Sequence, residues 1–236
     1  MKFPVFKEFL SRAGVMISPR VIHYLSGVLN YLSVGRWVHD RGMTVPVRCA
    51  DRPALYKQIA SGIQEPATYL EFGVFKGVTM GIWSGLLKSP ESRLVGFDSF
   101  EGLPENWGLF TDKKVFDVQG RMPHFDDSRV RLVKGWFDQT LRPFLTDFQP
   151  RPLLIVHLDA DLYSSTIYVL RQLRPYFKPG TILIFDEFFD REHELKAFNE
   201  FLDDEKIRVE CIAATRALSQ TAFRIVSVPN PEMAAK

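Results

Sequence analysis

The feature that most constrains this fold is an alternation of strand-like and helix-like segments that begins near Ala67. Helical segments such as VTMGIWSGLLK and STIYVLRQLRPYF separate the strand-like segments, and the second helix ends at the stop signal Lys178-Pro179-Gly180. The strand-like segments are short and mostly apolar: TYLEF, RLVGFD, VRLVKG, LLIVHLD and TILIFDE. This pattern predicts an α/β fold with a mostly parallel sheet and helices on both faces.

The end of the chain, from Leu195 onward, follows a different pattern. The segment LKAFNEFLDDEKI has helical spacing of its apolar residues, and RVECIAA and TAFRIVSV follow it closely enough to form a terminal antiparallel hairpin. The sheet is therefore predicted to have seven strands. We divide the chain into an N-terminal helical extension, residues 1–65, and the α/β domain, residues 66–230.

Residues 99–129 form a long stretch without clear periodicity. Loops of this length are usually lids or disordered segments. The stretch contains Trp107, Phe110, Phe116 and Phe125, and a disordered segment is poor in such residues. We therefore predict a lid.

The N-terminal segment VIHYLSGVLNYLSVG is apolar, but it is short of the roughly 20 residues that a membrane span needs. His23 and Asn30 also interrupt it. We predict a helix that buries one face against its own domain or a second subunit, which favours a homo-oligomer such as a dimer. Contact with a membrane surface is the alternative, and no membrane span is expected.

Composition limits the partners. A chain of 236 residues with 46% hydrophobic residues can bury one sizeable core. A net charge of +2 argues against nucleic acid or an acidic surface as the main partner, so a small molecule is favoured. Cys49 and Cys211 form no disulfide framework, which fits a cytoplasmic location.

The segment YLEFGVFKGVTM predicts a strand, a glycine turn and the start of a helix. Glu71 ends the strand, and Gly73 and Gly77 lie in the turn, where backbone can approach a carboxylate or phosphate at the helix N-terminus. The spacing is G-x-x-x-G and not the G-x-G-x-x-G of dinucleotide-binding proteins, so a pyrophosphate site is not indicated. A tight strand-to-helix connection without a ligand is an equally good interpretation of the turn alone.

The next strand ends at Asp98, where an acidic side chain can meet the two hydroxyls of a ribose. Together with the glycine turn, Asp98 indicates a nucleoside ligand without a pyrophosphate, and S-adenosylmethionine fits that description. The alternative for Asp98 is an ordinary helix cap.

Several longer stretches, namely LEFGVFKG, GFDSFEGLPENW, VKGWFDQTLRPFL, HLDADLYSST and GTILIFDEFF, carry a family resemblance. From about Val34 to Val228 the chain resembles the macrocin O-methyltransferase family of TylF, MycF and NovP type, class I methyltransferases with a Rossmann-like fold that use S-adenosylmethionine. The resemblance implies cofactor contacts at Glu71, Gly73, Asp98 and Ser99, with Gly135 and Trp136 near the adenine. We add Gly77, Thr79 and Asp159 to the predicted cofactor contacts.

Four carboxylates follow the fourth and fifth strands. Asp159 and Asp161 end one strand, and Asp186 and Glu187 end the next, so all four should open onto one crevice. A divalent cation would offset their repulsion, and an all-oxygen set suits Mg²⁺. Helix capping is the alternative for any single aspartate.

The resemblance also implies roles for these acids. It implies Mg²⁺ at Asp159, Asp186 and Glu187, with Asp161 as the base that takes a proton from the acceptor. His193 is an alternative base or a substrate contact. The predicted activity is an S-adenosylmethionine-dependent, Mg²⁺-assisted O-methylation of a hydroxyl group on a sugar, a glycosylated natural product or a surface glycan.

Two other functions remain open from the sequence. D-x-D is also the metal-binding signature of many glycosyltransferases that use nucleotide sugars, although a clear diphosphate site is missing here. A non-catalytic partner protein with the same fold is the other alternative, although all four carboxylates are present.

Overall fold

The computed structural model describes residues 3–107 and 111–229. Along the chain, the helices and strands are α1 (Phe3–Gly14), α2 (Pro19–Asp40), β1 (Arg48–Cys49), α3 (Arg52–Ser61), β2 (Ala67–Phe72), α4 (Val78–Leu86), β3 (Arg93–Asp98), β4 (Val130–Lys134), α5 (Phe137–Leu145), β5 (Leu153–Leu158), α6 (Tyr163–Leu173), a short 3₁₀ helix (Arg174–Tyr176), β6 (Ile182–Phe185), α7 (Glu194–Glu205), β7 (Arg208–Thr215) and β8 (Thr221–Ser227).

The strands form one sheet in the order β1-β7-β8-β6-β5-β2-β3-β4. Strand β8 runs antiparallel to both of its neighbours, and the other pairs are parallel. The predicted Rossmann-like α/β sheet and its terminal hairpin are therefore confirmed. The structure adds an eighth strand, β1, which has two residues and is too short to give a sequence pattern.

Two apolar clusters cover the sheet. Helices α3 and α4 supply one of them, in which Trp83 of α4 stacks on Tyr69 of β2 and packs against Tyr56 of α3. The other face is covered by α5, α6 and α7, and its cluster is rich in phenylalanine. Because the central strands are buried on both faces, they consist of nearly continuous apolar runs, as a parallel sheet requires.

Helix α2 is fixed to this second face by its C-terminal half. The indole Nε1 of Trp37 donates to Oδ1 of Asn199 at 2.7 Å, and Arg41 forms an ion pair with Asp203 at 2.6 Å. The ring of Tyr31 stacks on Phe189. The rest of α2 exposes many large apolar side chains, as α1 also does. Within the described residues, none of the helices combines the length and hydropathy needed to cross a membrane.

The predicted division of the chain into residues 1–65 and 66–230 stays a prediction. The last residue of the second predicted domain, residue 230, lies outside the described residues. Strand β1 and helix α3, both within residues 1–65, pair with β7 or pack against it. The predicted lid at 99–129 also stays a prediction, and Phe110 lies outside the described part. In the described part of this stretch, two isolated antiparallel bridges join Glu101 to Asp117 and Trp107 to Thr111.

Candidate active site

A cavity of about 790 Å³ opens at the carboxyl ends of β2 and β5. These neighbouring strands mark the point where the chain reverses its direction along the sheet, since β3 and β4 lie to one side of β2 and β6 lies beyond β5. Ligands of open α/β sheets bind at such a switch point. Seven of the predicted site residues line the cavity: Gly73, Asp98, Ser99, Trp136, Asp159, Asp161 and Glu187.

Gly73 lies where the ends of the two strands approach most closely. Its φ is +99°, in a region that favours glycine, and a Cβ there would lie 1.8 Å from the carbonyl oxygen of Asp159. The amide of Asp159 in turn donates to the carbonyl of Phe72 at 2.9 Å. Glycine is therefore required for the strands to continue side by side up to the cavity.

Asp98 fixes the two loops that border the cavity. Its Oδ2 accepts hydrogen bonds from the amides of Val74 and Phe75 at 2.8 and 2.7 Å, and its Oδ1 accepts one from Phe100 at 2.6 Å. The hydroxyl of Ser99 donates to the carbonyl of Gly102. Asp98 thus shapes the glycine turn and also lines the cavity.

One side of the cavity is aromatic. Trp136, at the N-cap of α5, and Tyr168 of α6 contribute rings from the helical side, and Trp107 and Phe116 contribute rings from the long loop. Phe116 packs edge-on against Phe75 of the glycine turn. Flat apolar surfaces of this kind suit an adenine or a sugar ring.

The other side is acidic. The carboxylates of Asp159 and Asp161 make no hydrogen bond or ion pair with any of the residues that the structure describes. Asp161 has a left-handed backbone, with φ at +57°, and its side chain is buried. Burial and the nearby charge of Asp186 raise the pKa of Asp161 to about 7. A carboxylate with this pKa can accept a proton near neutral pH.

Arg52, the first residue of α3, lies against the other pair of acids. Its guanidinium forms an ion pair with Asp186, and its Nη2 lies 3.6 Å from Oε1 of Glu187. Asp186 is buried, and its Oδ1 accepts a hydrogen bond from the hydroxyl of Tyr56 at 3.4 Å. Burial, followed by the charge of Asp186, raises the pKa of Glu187 to about 8.

A row of interacting polar side chains lies beneath this acidic side of the cavity. The hydroxyl of Tyr69 donates to Oε2 of Glu71 at 2.9 Å and lies 2.8 Å from Nδ1 of His157. Nε2 of His157 lies 3.9 Å from Oδ1 of Asp186. Burial raises the pKa of Glu71 well above its usual range. Glu71 is fully buried and does not belong to the cavity lining.

Four other predicted residues also lie away from the lining. Gly77 is the N-cap of α4, and a Cβ there would meet Phe125 and Pro123 of the long loop, so its lack of a side chain serves packing. Thr79 follows it in α4. Gly135 follows β4. Nδ1 of His193 accepts a hydrogen bond from the amide of Tyr163 at the start of α6, 3.2 Å away.

The predicted Mg²⁺ ligands, Asp159, Asp186 and Glu187, stay a prediction. Among residues 3–107 and 111–229, no three His, Cys, Asp or Glu side chains converge in a way that would hold a metal ion. Two of the three predicted ligands, Asp186 and Glu187, face the guanidinium of Arg52. The arrangement therefore gives these acids a positive charge from within the chain, and the Mg²⁺ site stays a prediction.

Sequence reasoning missed Arg52. The signal is the tripeptide Asp51-Arg52-Pro53, in which Asp51 caps α3 through the amide of Ala54 and Pro53 lies in its first turn. This pattern predicts a helix start. It does not reveal that the start lies above the carboxyl ends of β5 and β6, because that depends on strand β1 pairing with β7.

Comparison with known proteins identifies a family for most of the chain. The family model of macrocin-O-methyltransferase (TylF) matches residues 52–216. Over 153 residues the chain is 28% identical to 8-demethyl-8-(2,3-dimethoxy-alpha-L-rhamnosyl)-tetracenomycin-C 4'-O-methyltransferase of Streptomyces olivaceus, covering 55% of each chain. Over 147 residues it is 28% identical to demethyldecarbamoylnovobiocin O-methyltransferase of Streptomyces niveus, covering 54% of this chain and 55% of that protein. The aligned part thus spans about half the length of these curated relatives.

Two solved structures are similar. The calicheamicin methyltransferase CalS11 matches with a TM-score of 0.56 at 27% identity, over 72% of this chain and 76% of that one. The O-methyltransferase NovP matches with a TM-score of 0.56 at 23% identity, over 73% of this chain and 76% of that one, and supports the fold.

Proposed function

Because this chain belongs to the macrocin O-methyltransferase family, we propose that it transfers a methyl group from S-adenosylmethionine to a hydroxyl group of a sugar or a glycosylated small molecule. The observation that carries this proposal is the position of Asp161, a buried carboxylate without a partner in the described part of the chain, on the wall of the switch-point cavity. An acceptor hydroxyl needs such a base as it attacks.

The cofactor would lie along the glycine turn. Gly73 leaves room for a ligand and for the approach of β5, and Asp98 holds the turn through the amides of Val74 and Phe75. Trp136 provides a flat surface for an adenine. When bound, S-adenosylmethionine supplies a methyl group on a positively charged sulfur. Of the other predicted cofactor contacts, Ser99 and Asp159 line the same cavity, while Glu71 supports it from below.

The residues of the chain then orient the acceptor and remove its proton. Asp161 accepts the proton of the acceptor hydroxyl as the acceptor oxygen takes up the methyl group that the bound cofactor would supply. Trp107, Phe116 and Tyr168 would enclose the acceptor and exclude water. Holding the two reacting atoms in line lowers the entropic cost of the reaction.

The acceptor class is supported by two features. The two curated relatives are named O-methyltransferases, and one name contains a rhamnosyl group. The cavity itself combines aromatic rings with carboxylates, and sugars present both apolar faces and hydroxyl groups to such surfaces. The glycosyltransferase alternative gains no support, because the relatives described above are methyltransferases. A non-catalytic role would leave the position of Asp161 unexplained.

Three predictions of the sequence stay outside this mechanism. Assistance by Mg²⁺ is not included, because Arg52 already pairs with Asp186. His193 is not used, because its Nδ1 is engaged by the amide of Tyr163. The cytoplasmic location also stays a prediction. It agrees with the buried, unpaired state of both Cys49 and Cys211.

The test replaces Asp161 by Asn, which keeps the shape of the side chain and removes its basicity. We expect the kcat of methyl transfer to a rhamnosylated acceptor to fall by roughly 10² to 10⁴, with binding of S-adenosylhomocysteine nearly unchanged in calorimetry. Asp126→Asn, a fully exposed aspartate, is the matched control and should retain wild-type kcat. Full activity in Asp161→Asn would remove Asp161 from the reaction.

A further inference from the structure

Trp107 lines the cavity from the long loop, but its side chain is bonded to the opposite end of the cavity. The loop follows β3, which ends at Asp98. The indole Nε1 of Trp107 nonetheless donates to Oδ2 of Asp190, between β6 and α7, at 3.4 Å. Because β2 and β5 lie between β3 and β6 in the sheet, the loop crosses the mouth of the cavity.

A short hairpin, residues 101–117, carries Trp107 across this distance. The amide of Trp107 donates to the carbonyl of Thr111 at 3.0 Å, and the two residues form an antiparallel bridge. Nearer the base of the hairpin, the amide of Leu103 donates to the carbonyl of Lys113 at 2.7 Å. These backbone bonds fix the point from which the indole extends.

Two side-chain contacts tie the hairpin to the acidic side of the cavity. Besides the bond to Asp190, Oε1 of Glu105 accepts a hydrogen bond from the hydroxyl of Ser164 at 2.7 Å. Ser164 lies three residues after Asp161, and Asp190 lies three residues after Glu187. Both of these acids line the cavity. The hairpin is therefore held on the side where an acceptor hydroxyl would meet Asp161.

The other aromatic rings of the lining are engaged elsewhere. Phe116 packs edge-on against Phe75, the hydroxyl of Tyr168 donates to a backbone carbonyl of α5, and Trp136 lies at the N-cap of α5. Within residues 3–107 and 111–229, no second aromatic ring packs against Trp107. Its N–H bond lies in the plane of the ring, so Asp190 occupies an edge and leaves the faces for a ligand.

Asp190 is itself fixed by the backbone around it. Its Oδ1 accepts a hydrogen bond from the amide of Glu192 at 3.0 Å, while Oδ2 receives the indole. Its backbone carbonyl accepts a bond from the amide of Leu195 in the first turn of α7, at 3.2 Å. One carboxylate thus connects a structured segment to the ring of a loop residue.

We propose that Trp107 stacks on the sugar ring of the acceptor and that Asp190 is the positioning residue that orients the indole for this contact. The inference rests on the proposed function and specifies which part of the acceptor is recognised. The C–H bonds on one face of a sugar present an apolar surface that packs well on a flat ring. Because Asp190 orders the indole before the acceptor arrives, less side-chain entropy is lost on binding.

The contact with Asp190 is tested without substrate, by the indole N–H signals in a ¹⁵N-correlated NMR spectrum of the full chain. The chain has 4 tryptophans, and Trp107→Phe identifies one signal by its loss. Asp190→Ala should move that signal and leave the others in place, which also shows that the variant is folded. An unmoved signal would overturn the role of Asp190.

Kinetics with the rhamnosylated acceptor then test the stacking. Trp107→Ala should raise the KM for the acceptor roughly tenfold, with kcat and the Kd of S-adenosylhomocysteine nearly unchanged, because the lost contact is to the acceptor alone. Trp107→Phe keeps a ring and loses the N–H group, so we expect a rise in KM of about threefold, and the same for Asp190→Ala. The double variant should resemble either single variant, because both remove the same hydrogen bond.

Asn199→Ala is the matched control, because Asn199 accepts the indole N–H of Trp37 at 2.7 Å on α2. It should move the signal of Trp37 and leave the KM for the acceptor unchanged. An active Trp107→Ala with wild-type KM, or variants that lose kcat and cofactor affinity instead, would overturn the inference while the proposed function stands. Absence of methyl transfer in every form, the wild type included, would contradict the proposed function itself.

Discussion

At the residue scale, single atoms decide whether the cavity exists. Gly73 is the clearest case, because a side chain there would overlap the backbone of Asp159 and separate the two central strands. Asp98 acts through three backbone amides and not through its charge alone. The geometry of the site therefore depends on residues that contribute little or nothing to the chemistry.

We expect Gly73→Ala to lower the free energy of unfolding by about 1 to 3 kcal/mol, since the left-handed φ and the overlap with Asp159 both disfavour a Cβ. Binding of S-adenosylhomocysteine should weaken at least tenfold in calorimetry. Gly85→Ala is the control, because a Cβ added to that helical glycine would have no neighbour within 4 Å. Gly85→Ala should keep its affinity and gain up to about 1 kcal/mol in stability. Equal behaviour of the two variants would contradict this account.

At the element scale, α2 is apolar on more sides than the domain can cover. Its C-terminal half packs on the sheet through Val34 and Trp37. Val21, Leu25, Val28 and Leu32 form an exposed stripe, spaced by four, three and four residues. Monomeric proteins rarely leave such a surface open. We propose that the same stripe of a second copy covers it, which suits the self-complementary contact of a twofold dimer.

The expected result is that the double variant Leu25→Asp, Leu32→Asp is a monomer by light scattering at concentrations where the wild type is a dimer. Burying two added carboxylates in an apolar contact has a high free-energy cost. Val115→Asp, which replaces an exposed apolar residue in the long loop, serves as the control and should leave the dimer intact. A wild-type monomer at these concentrations would refute the dimer.

At the scale of the whole molecule, the topology of the sheet creates the site. Chain reversal between β2 and β5 opens a crevice, and residues from α3, the glycine turn, the long loop and α5 all reach it. A ligand in this crevice contacts segments that are far apart in the sequence. Its binding should therefore stabilise the whole domain and not one segment.

Thermal unfolding tests this expectation. S-adenosylhomocysteine at about 100 times its Kd should stabilise the native state by about 2.7 kcal/mol. For a chain of this size, that corresponds to a rise in Tm of roughly 5 to 10 °C. A nucleotide sugar such as UDP-glucose should leave Tm unchanged, because no diphosphate site is indicated. The reverse pattern would favour the glycosyltransferase alternative over the methyltransferase.

Much of this organisation follows from local sequence. The continuous apolar runs of β2, β5 and β6 indicate strands buried on both faces, and the glycine turn and Asp98 indicate where a nucleoside could bind. These signals are local, because strand propensity, turn geometry and helix stop signals act over a few residues. The motifs that resemble one family are also continuous stretches of sequence, so they can be recognised without the structure. The family match confirmed that resemblance.

Tertiary structure alone determined which charges face each other. The sequence placed four carboxylates in one crevice, but it could not show that Arg52, which is distant from Asp186 along the chain, enters that crevice from α3. Nor could it show that Nδ1 of His193 is occupied by the amide of Tyr163. Such contacts depend on how β1 joins the sheet and how the helices pack. An ion pair between distant residues leaves no periodic signal in the chain, because its two members are brought together only when the sheet is complete.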